Sequence, residues 1–477
     1  YRSLFAFLQF EPSKKSLLFT TRPPKKLETT DDFEQRINSL NGTKNMTEEQ
    51  QLILRKALLA PEFFLLWGPP GTGKTSVMLK TIVEFLFHQT EEDILLLAYT
   101  NRAVDEICEA IENVSEAARN NYIRIGSQYS SAEHSHHALF NKKIEKVNRR
   151  NELKDVIHSH RIFVSTVASI QNRQELLDLK QFDRVIIDEA SQILEPLLVG
   201  LLPAFERFIL VGDHKQLPAV VQQDKQFSII ENKDLKAIGL HDMRDSLFER
   251  LFLRCKSEGW NWAYDMLSHQ GRMHDNIMDF PNCFFYENSL KILPEYCGVD
   301  QSGITNYKNF PKDELGQKLT KNRVLYFNTP AEDNFQTQKI NVHEAQKIAQ
   351  IVDKYCQLFR DNGKPIDYQK TIGIITPYRA QIAQIKNALE QIDKSYGKFS
   401  VDTVERYQGS AREVILISLC LNNVRQLETL VSLDTEGKVD RKLNVALTRA
   451  KRHLVIVGNE NLMRASAIYG KLLEWAK

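Results

Sequence analysis

Eight short apolar runs stand out in the pattern of hydrophobic and polar positions along the chain. Most are near-continuous rather than alternating, as is typical of strands buried on both faces of a parallel sheet. The runs are Phe63–Trp67, Ile94–Tyr99, Ile162–Val167, Val185–Asp188, Phe208–Val211, Ile372–Thr376, Val414–Leu419 and Leu454–Val457. Helical patterns separate many of them, five precede residue 255 and three follow residue 370. The pattern predicts an α/β fold with two parallel sheets in two domains.

The length of 477 residues also favours two domains over one. We predict one domain over residues 46–258 and a second over 259–477. Residues 1–45 join a short apolar start to the basic stretch Arg22-Pro23-Pro24-Lys25-Lys26, and we interpret them as the remnant of an accessory domain plus a linker. Residues 112–160 lie between two predicted strands and are predicted to be a helical insertion. Because the sequence begins with Tyr1 rather than Met, we expect that a further N-terminal region precedes it in the whole protein. That region could bind protein partners.

Composition narrows the class of protein only slightly. The chain is 42% hydrophobic and 26% charged, and no apolar window is long enough to span a bilayer, so no membrane association is expected. The net charge of +2 neither favours nor excludes nucleic acid as a partner. Six scattered cysteines are typical of reduced thiols in an intracellular protein. The cluster His134, His136 and His137 has no partner at metal-ligand spacing, so we predict a solvated loop.

The strongest chemical signal is a glycine-rich segment between the first apolar run and a helix-compatible stretch, Ser76–Phe87. This segment is Gly68, Pro69, Pro70, Gly71, Thr72, Gly73, Lys74 and Thr75, with Ser76 following. Strand, glycine loop and helix form the context in which backbone N–H groups wrap the β-phosphate of a nucleotide. Lys74 would reach the β- and γ-phosphates, and the Thr75 hydroxyl would bind Mg²⁺. The segment therefore predicts a nucleoside triphosphate site with Mg²⁺.

A pair of carboxylates ends the fourth apolar run, at Asp188 and Glu189. At the tip of a strand beside a phosphate loop, the two side chains would have different roles. We predict that Asp188 holds Mg²⁺, through water, and that Glu189 orients or deprotonates the attacking water. Together with the loop, the pair predicts hydrolysis of the nucleotide.

Further motifs follow in order along the chain. They are Thr100-Asn101-Arg102-Ala103-Val104-Asp105, Gly212-Asp213-His214-Lys215-Gln216-Leu217-Pro218, Gln270-Gly271-Arg272-Met273-His274, Val401-Asp402-Thr403-Val404-Glu405-Arg406-Tyr407-Gln408-Gly409 and Leu443-Asn444-Val445-Ala446-Leu447-Thr448-Arg449-Ala450-Lys451. With the phosphate loop, this ordered set resembles the superfamily 1 helicases of the 5′-to-3′ type. It is similar to the nonsense-mediated-decay RNA helicase and to the helicase half of the replication nuclease-helicase. The resemblance runs from about Met46 to Gly458.

The resemblance implies two RecA-like domains that use ATP and Mg²⁺ to move 5′-to-3′ along single-stranded DNA or RNA. It implies that Gln216 senses the γ-phosphate. It also implies that Arg449 is an arginine finger and that Arg272 acts with it on the same phosphate. Gln50 resembles the glutamine that reads adenine, and Gly409 falls in the nucleotide cleft. The positions that grip a single strand in this family correspond here to Asn101, Thr166, Pro218, Tyr378 and Thr403.

Two residues depart from the family pattern. Gly271 stands where the family usually has Tyr beside the adenine, and Ala411 where it usually has Glu. Base selectivity is therefore expected to be looser, while hydrolysis should survive. Two alternatives stay open at this point: a nucleotide-gated binding module without unwinding activity, and a nuclease-helicase whose nuclease site lies outside this sequence.

Overall fold

The computed structural model describes residues 2–9, 12–173, 175–221, 223–294, 301, 307, 309, 312–332, 339–407, 410–434 and 437–476. The chain divides into two units. Unit 1 comprises residues 1–214 and 218–268, and unit 2 comprises residues 215–217 and 269–477. The three residues 215–217, which follow the strand Arg207–Gly212, thus belong to unit 2.

Unit 1 is built on a seven-stranded parallel sheet with the order β3-β4-β2-β5-β6-β1-β7. Its strands are β1 Phe63–Trp67, β2 Ile94–Ala98, β3 Tyr122–Ile125, β4 Ile162–Thr166, β5 Arg184–Asp188, β6 Arg207–Gly212 and β7 Tyr264–Met266. Every residue of β1, β2, β4 and β5 is buried, because helices cover both faces of the sheet.

Four α-helices of unit 1 precede β1, and the others lie between its strands. The helices are α1 Arg2–Gln9, α2 Pro12–Leu18, α3 Asp31–Asn38, α4 Glu48–Leu59, α5 Lys80–Gln89, α6 Asn101–Glu112, α7 Glu116–Asn120, α8 Phe140–Lys143, α9 Arg150–Ser159, α10 Val167–Gln171, α11 Glu175–Leu179, α12 Glu195–Val199, α13 Lys233–Ala237 and α14 Leu247–Ser257. A π-helical turn, Lys74–Leu79, runs directly into α5. Short 3₁₀ segments include Gly42–Asn45, Gln128–Ser130, Glu133–Ala138, Ala190–Gln192, Leu202–Ala204 and Lys225–Phe227.

The N-terminal residues pack on unit 1 through polar contacts that reach far along the sequence. Lys14 Nζ donates to the carbonyl of Pro203, and Arg250 Nη2 donates to the carbonyl of Leu18 at 2.8 Å. Arg22 forms an ion pair with Glu62 at 2.7 Å.

Residues 112–160 are not a purely helical insertion, since they contain strand β3 at the edge of the main sheet. The sequence pattern missed this strand because Arg124 interrupts its apolar residues. Arg124 is nevertheless buried, since its guanidinium pairs with Asp105 and donates to Ser135 Oγ.

Unit 2 contains a five-stranded parallel sheet with the order β10-β14-β13-β11-β12, and a two-stranded parallel sheet of β8 and β9. Its strands are β8 His269–Gln270, β9 Lys291–Ile292, β10 Val324–Asn328, β11 Ile372–Ile375, β12 Ser400–Asp402, β13 Arg412–Ser418 and β14 Ala450–Gly458. Its α-helices are α15 Asp275–Phe285, α16 Glu314–Lys321, α17 Val342–Asp361, α18 Arg379–Ile392, α19 Val404–Tyr407, α20 Gln426–Leu430, α21 Arg441–Leu447, α22 Glu460–Met463 and α23 Ala467–Ala476, and Lys394–Lys398 is a 3₁₀ segment.

All eight predicted strands are present, and the predicted α/β class with two parallel sheets is confirmed. The sequence pattern missed β3, β7, β10 and β12, together with the two-residue strands β8 and β9. These strands are short or carry polar residues, such as the sequence Ser400-Val401-Asp402 of β12, so they lack a continuous apolar signal. Among the residues described above, no helix is both long and apolar enough to cross a membrane.

Candidate nucleotide and nucleic-acid sites

The glycine-rich loop after β1 has a backbone that favours glycine at several positions. Gly71 and Gly73 have φ angles of +78° and +77°, in the left-handed region. A Cβ on Gly68 would lie 2.0 Å from Cγ of Lys74, so no side chain fits there while Lys74 keeps its position. The loop is thus shaped to bring backbone N–H groups and Lys74 together, as a phosphate site requires.

The helix that follows the loop begins at Lys74, two residues earlier than the predicted start at Ser76. Its first turn is widened, since the N–H groups of Val77 and Met78 both donate to the carbonyl of Gly73, at 3.0 and 2.9 Å. Lys74 and Thr75 therefore lie in the first turn of a helical segment that continues to Gln89, where N–H groups and the helix dipole favour an anion.

The Mg²⁺ residues predicted from sequence meet at the carboxyl end of β5. Thr75 Oγ1 donates to Asp188 Oδ2 at 2.8 Å, and Asp188 is only 2% exposed. Burial raises the pKa of Asp188 above its usual value, and the charge of Glu189 raises it further, while Lys74 and the Thr75 hydrogen bond lower it. A buried hydroxyl and carboxylate beside a second carboxylate fit Mg²⁺, which takes few protein ligands and completes its shell with water and phosphate oxygens.

Glu189 is held in a conformation that sets it apart from Asp188. Its φ angle is 53°, in the left-handed region, and its N–H donates to Asp188 Oδ1 at 2.8 Å. Gln192 Nε2 donates to Glu189 Oε2 at 2.8 Å. Strained backbone of this kind is found at functional sites, where surrounding contacts maintain it. Gln192 was not predicted from the sequence, in which its spacing of three residues from Glu189 is the available signal; in the structure it ends the 3₁₀ segment Ala190–Gln192.

Unit 2 brings together the three residues predicted to act on the γ-phosphate. Arg449 Nη2 donates to Gln216 Oε1 at 2.9 Å, and Arg449 Nε donates to the carbonyl of Val445 at 3.1 Å. Arg449 is 1% exposed. Arg272 Nη1 lies 3.5 Å from the carbonyl oxygen of Thr448, the residue preceding Arg449.

The short segment 215–217 is fastened to unit 2 by contacts that the sequence did not reveal. Lys215 Nζ forms an ion pair with Asp434 at 3.1 Å, and Asp434 is buried. Asn444 Nδ2 donates to the carbonyl of Lys215 at 2.7 Å. These contacts hold Gln216 beside Arg449, and only the fold could show them, because Asp434 lies outside every motif.

The remaining predicted nucleotide residues have mixed positions. Gln50 is buried, and its Oε1 accepts the N–H of Thr47 in a capping box at the start of α4. Its amide therefore has a structural role in addition to the predicted reading of adenine. Gly409 lies outside the described residues. Gly271 and Ala411, the two departures from the family pattern, are both half-buried.

In unit 1, two predicted nucleic-acid residues follow neighbouring strands. Ala98, at the end of β2, pairs with Thr166, at the end of β4. Asn101 is exposed at the start of α6, whereas the Thr166 hydroxyl caps α10 by accepting the N–H of Ser169 at 3.2 Å. Pro218 is half-buried and follows β6, at a different part of the same carboxyl edge.

The same arrangement is found independently in unit 2. Tyr378 follows β11 and Thr403 follows β12, and the ends of these strands pair at Ile375 and Asp402. Tyr378 is only 9% exposed, so its ring packs within unit 2 rather than presenting a face for stacking. Thr403 is half-buried and is the residue immediately before α19.

The histidine cluster shows no sign of a metal site. His134, His136 and His137 lie on the 3₁₀ segment Glu133–Ala138, with His136 Nε2 3.1 Å from the carbonyl oxygen of Ser131. Across the described ranges, no group of three or more His, Cys, Asp or Glu side chains is arranged to hold a metal ion.

A phosphate loop with an adjacent carboxylate pair, on a parallel α/β sheet, defines the class of phosphate-loop nucleotide-binding proteins. Comparisons with known proteins narrow this class. One AAA-domain family model matches residues 45–148 and 134–224, and a second matches residues 243–461. Together these matches take in most of both units.

Three proteins are similar in sequence to most of this chain. An ATP-dependent helicase of Methanocaldococcus jannaschii is 26% identical over 91% of this chain and 71% of that protein. The DNA replication ATP-dependent helicase/nuclease of Bos taurus is 30% identical over 87% of this chain and 37% of its own length. A regulator of nonsense transcripts 1 homolog of Neurospora crassa is 27% identical over 89% of this chain and 38% of its own length. The chain thus spans well under half the length of the latter two.

The chain is homologous to superfamily 1 helicases, among them the replication helicase/nucleases and the regulators of nonsense transcripts. It is accordingly an enzyme of the ATP-hydrolysing helicase class. Among solved structures, the arterivirus nonstructural protein 10 helicase with DNA gives a TM-score of 0.39 at 13% identity, over 87% of this chain and 63% of that chain. That similarity is too weak to add to the assignment.

Proposed function

We propose that this protein is an ATP-dependent helicase that moves 5′-to-3′ along single-stranded nucleic acid. The observation that carries the proposal is the assembly around Asp188, where the phosphate loop supplies Lys74 and Thr75 and strand β5 supplies two carboxylates. The motif set and the relatives connect this ATP site to work on nucleic acid.

In the proposed reaction, Lys74 neutralises charge on the β- and γ-phosphates. Thr75 and Asp188 would hold Mg²⁺, Asp188 through water, and the ion would neutralise charge on the phosphate oxygens. Glu189 orients the attacking water and accepts its proton, and Gln192 keeps the Glu189 carboxylate in place.

Arg449 stabilises the charge that develops on the γ-phosphate, with Arg272 beside it. Its hydrogen bond to Gln216 fixes the guanidinium and places the γ-phosphate sensor on the same unit. A change at the γ-phosphate can thereby be passed to unit 2, which is the coupling that a translocating motor needs.

The single strand is gripped at the carboxyl edges of the two sheets, by Asn101, Thr166 and Pro218 on unit 1 and by Tyr378 and Thr403 on unit 2. Asn101, Thr166 and Thr403 carry small polar side chains, which suit phosphate and sugar contacts. Such contacts read no base sequence, so we propose binding with little sequence preference.

The deciding experiment has two arms. Steady-state ATP hydrolysis is measured without nucleic acid and with single-stranded DNA or RNA, and we expect strong stimulation by at least one of them. Unwinding is then measured on duplexes with either a 5′ or a 3′ single-stranded tail, and only the 5′-tailed duplex should be opened. Hydrolysis that ignores both strands would instead indicate a nucleotide-gated binding module, and opening of the 3′-tailed duplex alone would reverse the proposed direction.

A further inference from the structure

We propose that unit 1 carries an accessory subsite for single-stranded nucleic acid, which we call the β3 cleft. It is lined by Gly126, Gln128, Leu139, Asn141, Lys142 and Glu145 and has a volume of about 270 Å³. The inference rests on the proposed function, because it extends the path of the strand beyond Asn101 and Thr166.

The first support is position within the sheet. The strand order β3-β4-β2 places β3 next to β4, and Ile125 at the end of β3 pairs with Ser165 in β4. The residues that follow β3 therefore emerge at the same carboxyl edge as Thr166 and Asn101, one strand further out. A nucleic-acid strand that crosses the ends of β2 and β4 reaches the β3 cleft next.

The second support is an exposed tyrosine next in sequence to the cleft-lining residue Gln128. Tyr129 lies on the 3₁₀ segment Gln128–Ser130, one residue after a cleft-lining residue, and its side chain is fully exposed at 103%. A ring that is entirely in water makes no packing contacts, so both of its faces are accessible to a ligand. An exposed aromatic face is the feature on which bases of a single strand stack.

The third support is the chemistry of the lining. Gln128 and Asn141 carry side-chain amides, each with donors and an acceptor that can pair with the polar edge of a base. Gly126 has nothing within 4 Å of its virtual Cβ, so space at the end of β3 stays open. The cleft is thus polar and accessible, unlike an apolar docking groove for a protein helix.

The fourth support is charge. Residues 142–154 hold six basic and two acidic side chains, a net charge of +4 in a chain whose total is only +2. Lys142, Lys146, Arg149, Arg150 and Lys154 are exposed. Lys142 also lies 3.8 Å from Glu145, but both side chains are well exposed, so this pair holds Lys142 only weakly. Phosphates leaving the cleft would meet this basic run.

The experiment measures binding of fluorescent single strands of increasing length, as oligo-dT and oligo-U, by anisotropy. Tyr129→Ala removes the ring, whereas Tyr129→Phe keeps it. We expect Tyr129→Ala to weaken binding of long strands by about 5- to 150-fold, the range for losing one stacked base, and Tyr129→Phe to bind like wild type. The shortest strand that stimulates ATP hydrolysis should bind both variants equally, because it does not reach the cleft.

A charge variant gives an independent readout. Lys142→Gln should reduce the slope of log affinity against log salt by about 0.7 on long strands, the value for one phosphate contact on single strands. The matched control is Lys256→Gln. Lys256 is exposed at the end of α14. This helix leads into β7, which is the outermost strand on the side of the sheet away from β3. This control should keep the wild-type slope.

The possible results distinguish a failure of the β3 cleft from a failure of the proposed helicase function. If wild type is stimulated by single strands but Tyr129→Ala binds every length as wild type does, the β3 cleft is not a subsite and the proposed function stands. An equal loss of affinity for the shortest and the longest strands would also overturn the cleft, because the variant would then act on the core path. If wild type neither binds nor responds to any strand, the proposed function itself fails.

Discussion

The guanidinium of Arg449 donates a hydrogen bond to the side-chain oxygen of Gln216 across 2.9 Å, although 233 residues separate them in sequence. Arg449 is buried, and Gln216 belongs to the three-residue segment that leaves unit 1 after His214. The contact joins a residue assigned to γ-phosphate sensing with the candidate arginine finger, so the two can respond to the nucleotide together.

Replacing Arg449 with Ala should slow ATP hydrolysis by up to about 10³–10⁵-fold, the range for a full arginine finger, and weaken ATP binding much less. Gln216→Ala should slow hydrolysis as well, and the double variant should lose less than the two single effects combined, because the residues act as a pair. Single-turnover hydrolysis and nucleotide titration measure the two quantities. Since Arg449 is buried, thermal unfolding of each variant serves as a control, and normal hydrolysis by a folded Arg449→Ala protein would refute the finger assignment.

Lys74→Ala should abolish ATP hydrolysis, because Lys74 is the mobile positive charge of the phosphate loop and packs where Gly68 leaves room for it. Steady-state hydrolysis in the presence of a stimulating single strand measures the effect. Lys80→Ala, one to two turns further along the same helical segment, is the matched control and should keep activity. Turnover by Lys74→Ala within a few-fold of wild type would mean that this loop is not the catalytic one.

Glu189→Gln should separate binding from turnover. The amide keeps the size of the side chain but accepts no proton from water, so turnover should fall by roughly 10²–10⁴-fold while ATP still binds. Affinity for a single strand in the presence of ATP should persist or rise. Nucleotide binding and hydrolysis are measured on one preparation, and an equal loss of both would reject the role of Glu189 as the base.

Discrimination among nucleoside triphosphates should be looser than is usual in the family, because Gly271 offers no aromatic ring beside the base. The rates of ATP, GTP and CTP hydrolysis test this expectation. Gln50 caps α4 as well as being predicted to read adenine, so Gln50→Glu, which retains an acceptor for the Thr47 N–H, is a better variant than Gln50→Ala. A strong preference for ATP that survives Gln50→Glu would contradict the prediction.

The buried carboxyl of Glu344 should make the stability of unit 2 depend on pH. Its Oε2 accepts hydrogen bonds from Ser418 Oγ at 2.6 Å and from the Cys420 N–H at 2.9 Å, and burial raises its pKa from 4.5 to about 7. The folded state therefore binds a proton up to about pH 7, whereas the unfolded chain releases it near pH 4.5. The contribution to the unfolding free energy is fully present below pH 4.5, falls between pH 4.5 and 7, and is level above, with a total on the order of 3 kcal/mol.

Glu344→Gln removes this titration while keeping the size of the side chain. Urea unfolding of both proteins between pH 5 and 8 measures the difference, in which the titration of all other groups cancels. The variant should gain stability relative to wild type as pH rises, and a difference that stays constant with pH would show that Glu344 does not titrate in this range.

The phosphate loop, the carboxylate pair and the central strands could be predicted from the sequence because each depends on local order. A loop such as Gly68–Thr75 needs particular residues at adjacent positions, and a strand such as Ile94–Ala98, buried on both faces, must be apolar throughout. These features leave continuous signals that need no knowledge of distant contacts. The parallel arrangement of the sheets followed from the same runs and the helical patterns between them.

What the tertiary structure decided depends on residues that are far apart in sequence. Strand β3 gives no continuous apolar signal because Arg124 lies within it. Arg124 can be buried there because the fold places Asp105 and Ser135 beside its guanidinium. The grouping of Gln216 with unit 2 depends on the ion pair between Lys215 and the buried Asp434, which lie 219 residues apart in sequence. The β3 cleft exists because the order of strands in the sheet, which no local pattern encodes, sets the end of β3 next to that of β4. Local motifs depend on neighbouring residues and can be recognised in the sequence. Side-chain pairs between distant residues and the order of strands in a sheet are decided only when the chain folds.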